Sequence, residues 1–141
     1  MHMKKHRIII LSILIAILLC RCISSNHYKF KHPLDEISQV SIYINDELTG
    51  YIEDHTVAVV LEKDEYISLL AQLSKMECRV PFGDPMWTFG PLVLRIDYTD
   101  GSFEVIGYTN SRYVMPDGTM KEQYKRFSKE DFIALLSQFL E

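Results

Sequence analysis

The sequence predicts an α+β fold: an antiparallel sheet meander with two helices packed on one face, preceded by an N-terminal hydrophobic helix. Three observations carry this expectation. Apolar and polar residues alternate from Leu92 to Tyr98 and resume after an Asp-Gly pair. Two stretches, 63–75 and the segment after Ser128, repeat apolar residues at helical spacing. An unbroken apolar run, Ile8 to Leu19, is interrupted only by Ser12 and follows Lys4, Lys5 and Arg7.

That first run has the layout of an export signal or a short anchor. From Ile8 to Cys20 a helix would reach about 20 Å at about 1.5 Å per residue, short of a hydrocarbon core of about 30 Å. The charge bias, three positives before the run and Arg21 after it, places the N-terminus inside and the rest outside the cytoplasm. Cys22-Ile23-Ser24 offers small residues for signal cleavage. Ile17-Leu18-Leu19-Cys20 resembles the lipobox of bacterial lipoproteins, which implies lipidation at Cys20, but Leu19 is bulky where that motif carries a small residue. The expected organisation is 1–23 as signal peptide or membrane anchor, 24–33 as a polar tether, and 34–141 as one α+β domain.

Along the domain, Val40, Ile42 and Ile44 alternate with Ser41 and Tyr43 and predict a strand, and Val57 to Leu61 is a β-branched run suited to a buried one. Asp64-Glu65 opens an amphipathic helix over 63–75, with Tyr66, Ile67, Leu69, Leu70 and Leu73 on its apolar stripe. Glu77 to Phe82 reads as a short strand ending in a cluster of turn residues. Around Asp100-Gly101 a two-residue hairpin turn pairs Tyr98 with Phe103, Asp97 with Glu104 and Ile96 with Val105, every pair alike in polarity. Pro116-Asp117-Gly118 predicts a second turn, with Lys121 to Phe127 as the return strand. Ser128 caps the final helix, Asp131 sits at its third position, and Phe132, Leu135, Leu136, Phe139 and Leu140 form its stripe.

Beyond residue 22 the chain carries 11 Lys and Arg against 19 Asp and Glu, a balance of −8. Such a charge repels phosphate backbones, so no nucleic-acid partner is expected, and a basic protein, peptide or cation suits it better. Cys78 is the only cysteine of the domain and reads as a small buried residue. No hydrolase elbow, zincin helix, P-loop or dinucleotide fingerprint occurs, and no cofactor is implied. His55, beside Glu53 and Asp54, suggests a metal site or a base; a solvent-exposed loop is the plainer reading. Asp97 and Glu104, set across the hairpin on an acidic surface, would raise each other's proton affinity, and Arg95 would relieve that repulsion.

The strongest candidate for recognition is Pro81 to Pro91, which concentrates three of the five prolines and the only tryptophan. Phe82, Met86, Trp87 and Phe89 are its expected binding residues, because rigid aromatic loops form interaction hot spots; closure of the core's open end is the plainer reading of the same loop. Tyr108, Tyr113 and Tyr124 would extend the patch.

The order of a strand, the helix opened by Asp64-Glu65-Tyr66-Ile67, the Tyr98-Thr99-Asp100-Gly101-Ser102 hairpin, the Tyr113 segment with Asp117-Gly118, and a closing Phe-Leu helix looks like small exported or lipid-anchored bacterial domains of unknown function. The resemblance implies an α+β fold in the cell envelope and brings no catalytic residues. The expected function is a membrane-tethered or secreted non-enzymatic domain that binds a protein, peptide or small ligand. The alternatives are a small envelope enzyme or metal-dependent factor, and an immunity or inhibitor protein whose acidic face neutralises a basic toxin.

Overall fold

The structure, a computed structural model, describes residues 9–10, 12–13, 27–45, 55–80 and 88–141. The segment expected to form the N-terminal hydrophobic helix, apart from four residues, and Cys20 lie outside them, as do Phe82, Met86 and Trp87. Among the described residues no helix is long and apolar enough to cross a membrane.

Among the described residues a six-stranded antiparallel sheet and two α-helices form the domain, in the order β1 (Ile37–Ile44), β2 (Thr56–Val60), α1 (Lys63–Lys75), β3 (Leu92–Tyr98), β4 (Phe103–Ile106), β5 (Ser111–Val114), β6 (Met120–Gln123) and α2 (Lys129–Ser137). Across the sheet the strands run β2-β1-β3-β4-β5-β6. The first hairpin therefore lies beside a four-stranded meander, with α1 carried between them.

Period-two alternation divides the sheet into two faces. On one, Val40, Ile42, Leu94, Ile96 and Ile106 pack with Leu69, Leu70 and Leu73 of α1 and Phe132, Leu135 and Leu136 of α2. Burial of these side chains, about 1.5–3 kcal/mol each, is the main force holding the helices down. The outer face carries a smaller cluster of Phe89, Val93 and Val105, flanked by Tyr43 and Phe103. Helix α1 begins on a reciprocal capping box between Glu62 and Glu65. Ser128 Oγ accepts the Asp131 N–H at the start of α2.

Four expectations change. The Val57 to Leu61 strand is an exposed edge rather than a buried strand, with Val57 and Val60 about half accessible. Of the Glu77 to Phe82 strand only bridges at Glu77 and Arg79 form among the described residues. The return strand stops at Gln123, and Arg126 bridges to Arg79 instead. Residues 27–33 are not a free tether: Tyr28 belongs to the core, Phe30 packs against it, and His27 bridges to Glu77. Polar composition hid these two aromatic anchors.

Candidate functional site

The meander's first hairpin sets the geometry of its interior. Tyr98 C=O accepts the Gly101 N–H at 3.1 Å, and Tyr98 N–H donates to Ser102 C=O at 2.9 Å, which closes a three-residue loop, Thr99 to Gly101. Gly101 has φ +87°, the bulge conformation a glycine adopts without penalty. Asp100 Oδ1 accepts the Ser102 N–H at 2.8 Å and its hydroxyl at 2.5 Å. The register is therefore Ile96 opposite Glu104 and Asp97 opposite Phe103, one residue away from the sequence expectation.

That single step separates the expected carboxylate pair. Asp97 stays on the outer face, where Arg95 holds it with Nη2–Oδ1 2.7 Å and Nε–Oδ1 3.0 Å. Glu104 turns to the helix-covered face and is fully buried, so the two do not form a shared acidic surface. A buried carboxylate is strongly unfavourable unless donors surround it. Here Tyr28 OH donates to Oε2 at 2.5 Å, and Oε1 accepts both Tyr98 OH at 2.7 Å and the Lys31 N–H. Burial, and then the Glu104 charge, push both phenols well above their usual range, so each remains a donor.

Beside this network sits His32. Its ring lies 4.4 Å from the Tyr98 ring centroid; Nδ1 is 2.6 Å from Glu36 Oε2, and Nε2 is 3.0 Å from Tyr113 OH and 3.3 Å from Ser102 Oγ. Ser102, His32 and Glu36 thus follow the hydroxyl, imidazole, carboxylate order that activates serine nucleophiles. Two features oppose that use. Ser102 is 1% exposed, and its hydroxyl is closer to Asp100 than to His32. These donor bonds also hold the Asp100 carboxyl below its ordinary range. The cluster works as a clamp that fixes residues 27–36 to the sheet. Glu36 is four residues from His32, but its partners on the sheet, Ser102 and Tyr113, are 70 and 81 residues away, and no sequence pattern joins them.

Phe89 is the described member of the expected recognition loop, and it is 1% exposed. Thr88 C=O accepts the Thr109 hydroxyl, and a Cβ on Gly107 would lie 2.2 Å from Phe89 O. Phe89 therefore anchors the end of the loop to the outer face, and the core-closing reading describes it. His55 also belongs to this attachment: it is 8% exposed, with Nε2 2.7 Å from Gly90 O, rather than in an open loop. Glu53 and Asp54 lie outside the described residues. Among the described residues no three His, Cys, Asp or Glu side chains converge as a metal-ligand set.

At the other end of the loop, where Val80 precedes it, the surface opens into a cleft of about 670 Å³. Apolar Met76, Val80 and Phe127 line it together with Glu77, Arg79, Arg126, Ser128 and Asp131. The two arginines face each other across a bridge with N–H to C=O distances of 2.9 and 2.7 Å. Val80 is 63% exposed, while the neighbouring Cys78 is buried, which pushes its thiol pKa upward. Sequence reading missed the cleft because it joins a segment before the loop to the start of α2, more than 40 residues later in the chain.

No protein-family model, curated protein or solved structure matches this chain.

Proposed function

We propose that this protein is a non-enzymatic binding domain, tethered to a membrane or secreted, with its bulk outside the cytoplasm, and that it holds a protein, peptide or small ligand in the cleft at Val80. The cleft carries the reading. Its volume lies within the range of about 300–1,000 Å³ typical of ligand sites, and its lining mixes apolar side chains with a few charged ones, as such sites do. In the sequence Val80 is followed by Phe82, Met86 and Trp87, residue types that dominate recognition. Support for the location comes from the Lys4, Lys5 and Arg7 cluster ahead of the apolar run.

Crosslinking followed by recovery of the full-length protein from cell envelopes tests this function. Trp87→Ala and Arg126→Glu are each expected to abolish recovery of a specific partner or ligand while leaving the folded domain intact. Unchanged recovery with both variants would remove the site assignment.

A further inference from the structure

The two outer strands of the sheet differ in a way that a folded domain rarely leaves unexplained. Exposed edges invite pairing with other chains, and proteins usually blunt them with charge, proline or a covering element. Edge strand β6, Met120-Lys121-Glu122-Gln123, carries two charges. Edge strand β2, Thr56-Val57-Ala58-Val59-Val60, carries none and has no proline. Among the described residues no strand lies beyond it.

Its unpaired side can be placed from the register. Leu61 N–H donates to Val40 C=O at 2.9 Å, so in the Ser41↔Val60 register the Val60 N–H and C=O point away from the sheet. A register shift between Ile42 and Tyr43 puts Val57 and Val60 on the same, outer face, although they are three residues apart. They are 52% and 51% exposed. An incoming strand therefore meets free backbone groups together with two β-branched side chains.

We propose that β2 is a docking edge onto which an extended segment of a basic partner protein adds as a further strand. Charge selects the occupant. Glu53 and Asp54 precede β2, and Glu62, Asp64 and Glu65, against the single Lys63, follow it. A second copy of this chain carries the same acid excess, −8 beyond residue 22, and is repelled. A segment with β-branched residues in its middle and lysine or arginine beyond them is attracted by the acids that open α1. Main-chain bonds supply the affinity in this mode, and the valines and flanking acids supply the selection. The edge lies apart from the cleft, so this inference stands independently of the function proposed above.

The test uses the full chain in detergent micelles and a fluorescent peptide, Lys-Lys-Val-Thr-Val-Thr-Val-Lys-Lys, with a version flanked by glutamates as its control. Fluorescence anisotropy is expected to show the basic peptide binding at least about tenfold more tightly, with the gap narrowing in high salt. Hydrogen exchange on the unaltered chain is expected to show new protection at Val60, which requires no variant to fold. The double substitution Val57→Lys and Val60→Lys is expected to weaken binding by at least about tenfold, while Arg126→Glu leaves it unchanged. Equal binding of both peptides, or no new protection at Val60, would overturn the proposal. So would loss of binding on Arg126→Glu, which would place the peptide in the cleft, or self-association of the chain that protects Val60 without peptide.

Discussion

Asp97 and Glu104 lie on adjoining strands, yet their surroundings are opposite. Asp97 occupies the outer face, a quarter exposed, and Arg95 neutralises it by direct ion pairing. Glu104 occupies the helix-covered face with no cation paired to it among the described residues, and two phenols and a main-chain N–H replace its water. A partly exposed carboxylate can keep water and use a flexible opposite charge. A buried one needs fixed donors, and those donors come from distant parts of the chain. The inner carboxylate therefore organises the fold, whereas the outer one decorates it.

Replacing each carboxylate is the strongest way to break this contrast. Glu104→Ala leaves two hydroxyls and an N–H unpaired in the interior and is expected to cost about 3–5 kcal/mol in chemical denaturation, against less than about 1 kcal/mol for Asp97→Ala. Equal losses would mean that the inner network contributes no more than the outer ion pair. The same network predicts an alkaline limit. Folding raises the Tyr28 and Tyr98 pKa values above their ordinary 10.0, so their contribution is complete below pH 10 and is lost as pH rises beyond it toward the folded values. Tyrosinate absorbance should therefore appear together with unfolding for these two residues, and Tyr28→Phe should weaken that coupling.

The next effect concerns the outer face. Gly107→Ala forces a methyl group against the Phe89 carbonyl and is expected to cost about 1–3 kcal/mol, measured by thermal unfolding. A smaller loss would show that the end of the loop is free to retreat from the sheet.

Smaller still are the two turns. Gly101 and Gly118 have φ of +87° and +86°, and a Cβ on either meets open space. Alanine at each is expected to cost about 1 kcal/mol from the backbone alone, equally in both hairpins. A larger loss at Gly101 would show that its turn also maintains the register that buries Glu104.

The smallest effect is at acid pH. Donor bonds from Ser102 hold the Asp100 pKa down, so its contribution is present above the unfolded value and is lost as pH falls through the folded one. Ser102→Ala should flatten that acid limb in a pH series of unfolding midpoints.

Much of the architecture was legible because it is local. The helix over 63–75, the strand from Leu92 to Tyr98 and the Ser128 cap coincide with the expectation, since each follows from periodicity or capping within a few residues. The register was not legible. Matching polarity across Asp100-Gly101 favoured a two-residue loop, but Asp100 bonding to Ser102 stabilises a three-residue one, and the meander then accepts a glutamate inside. The second hairpin repeats the geometry, with Gly118 N–H on Met115 C=O at 2.9 Å and Thr119 N–H on Asp117 Oδ1 at 2.9 Å. Asp-Gly followed by Ser or Thr was thus the local signal available. The Tyr28 and His32 attachments were hidden for a different reason: each is defined by residues far along the chain, and nothing nearby predicts such a meeting. Of the expected recognition residues, Phe89 lies among the described residues, buried against the outer face.

The hold of Lys31 and Tyr28 on Glu104 has a mechanical consequence. Tension arriving from the N-terminal side enters the sheet at β4, near its middle, and spreads to β3 through Tyr98. The strands would have to shear together rather than peel singly from a rim, so tugging on that end loads the sturdiest part of the domain first.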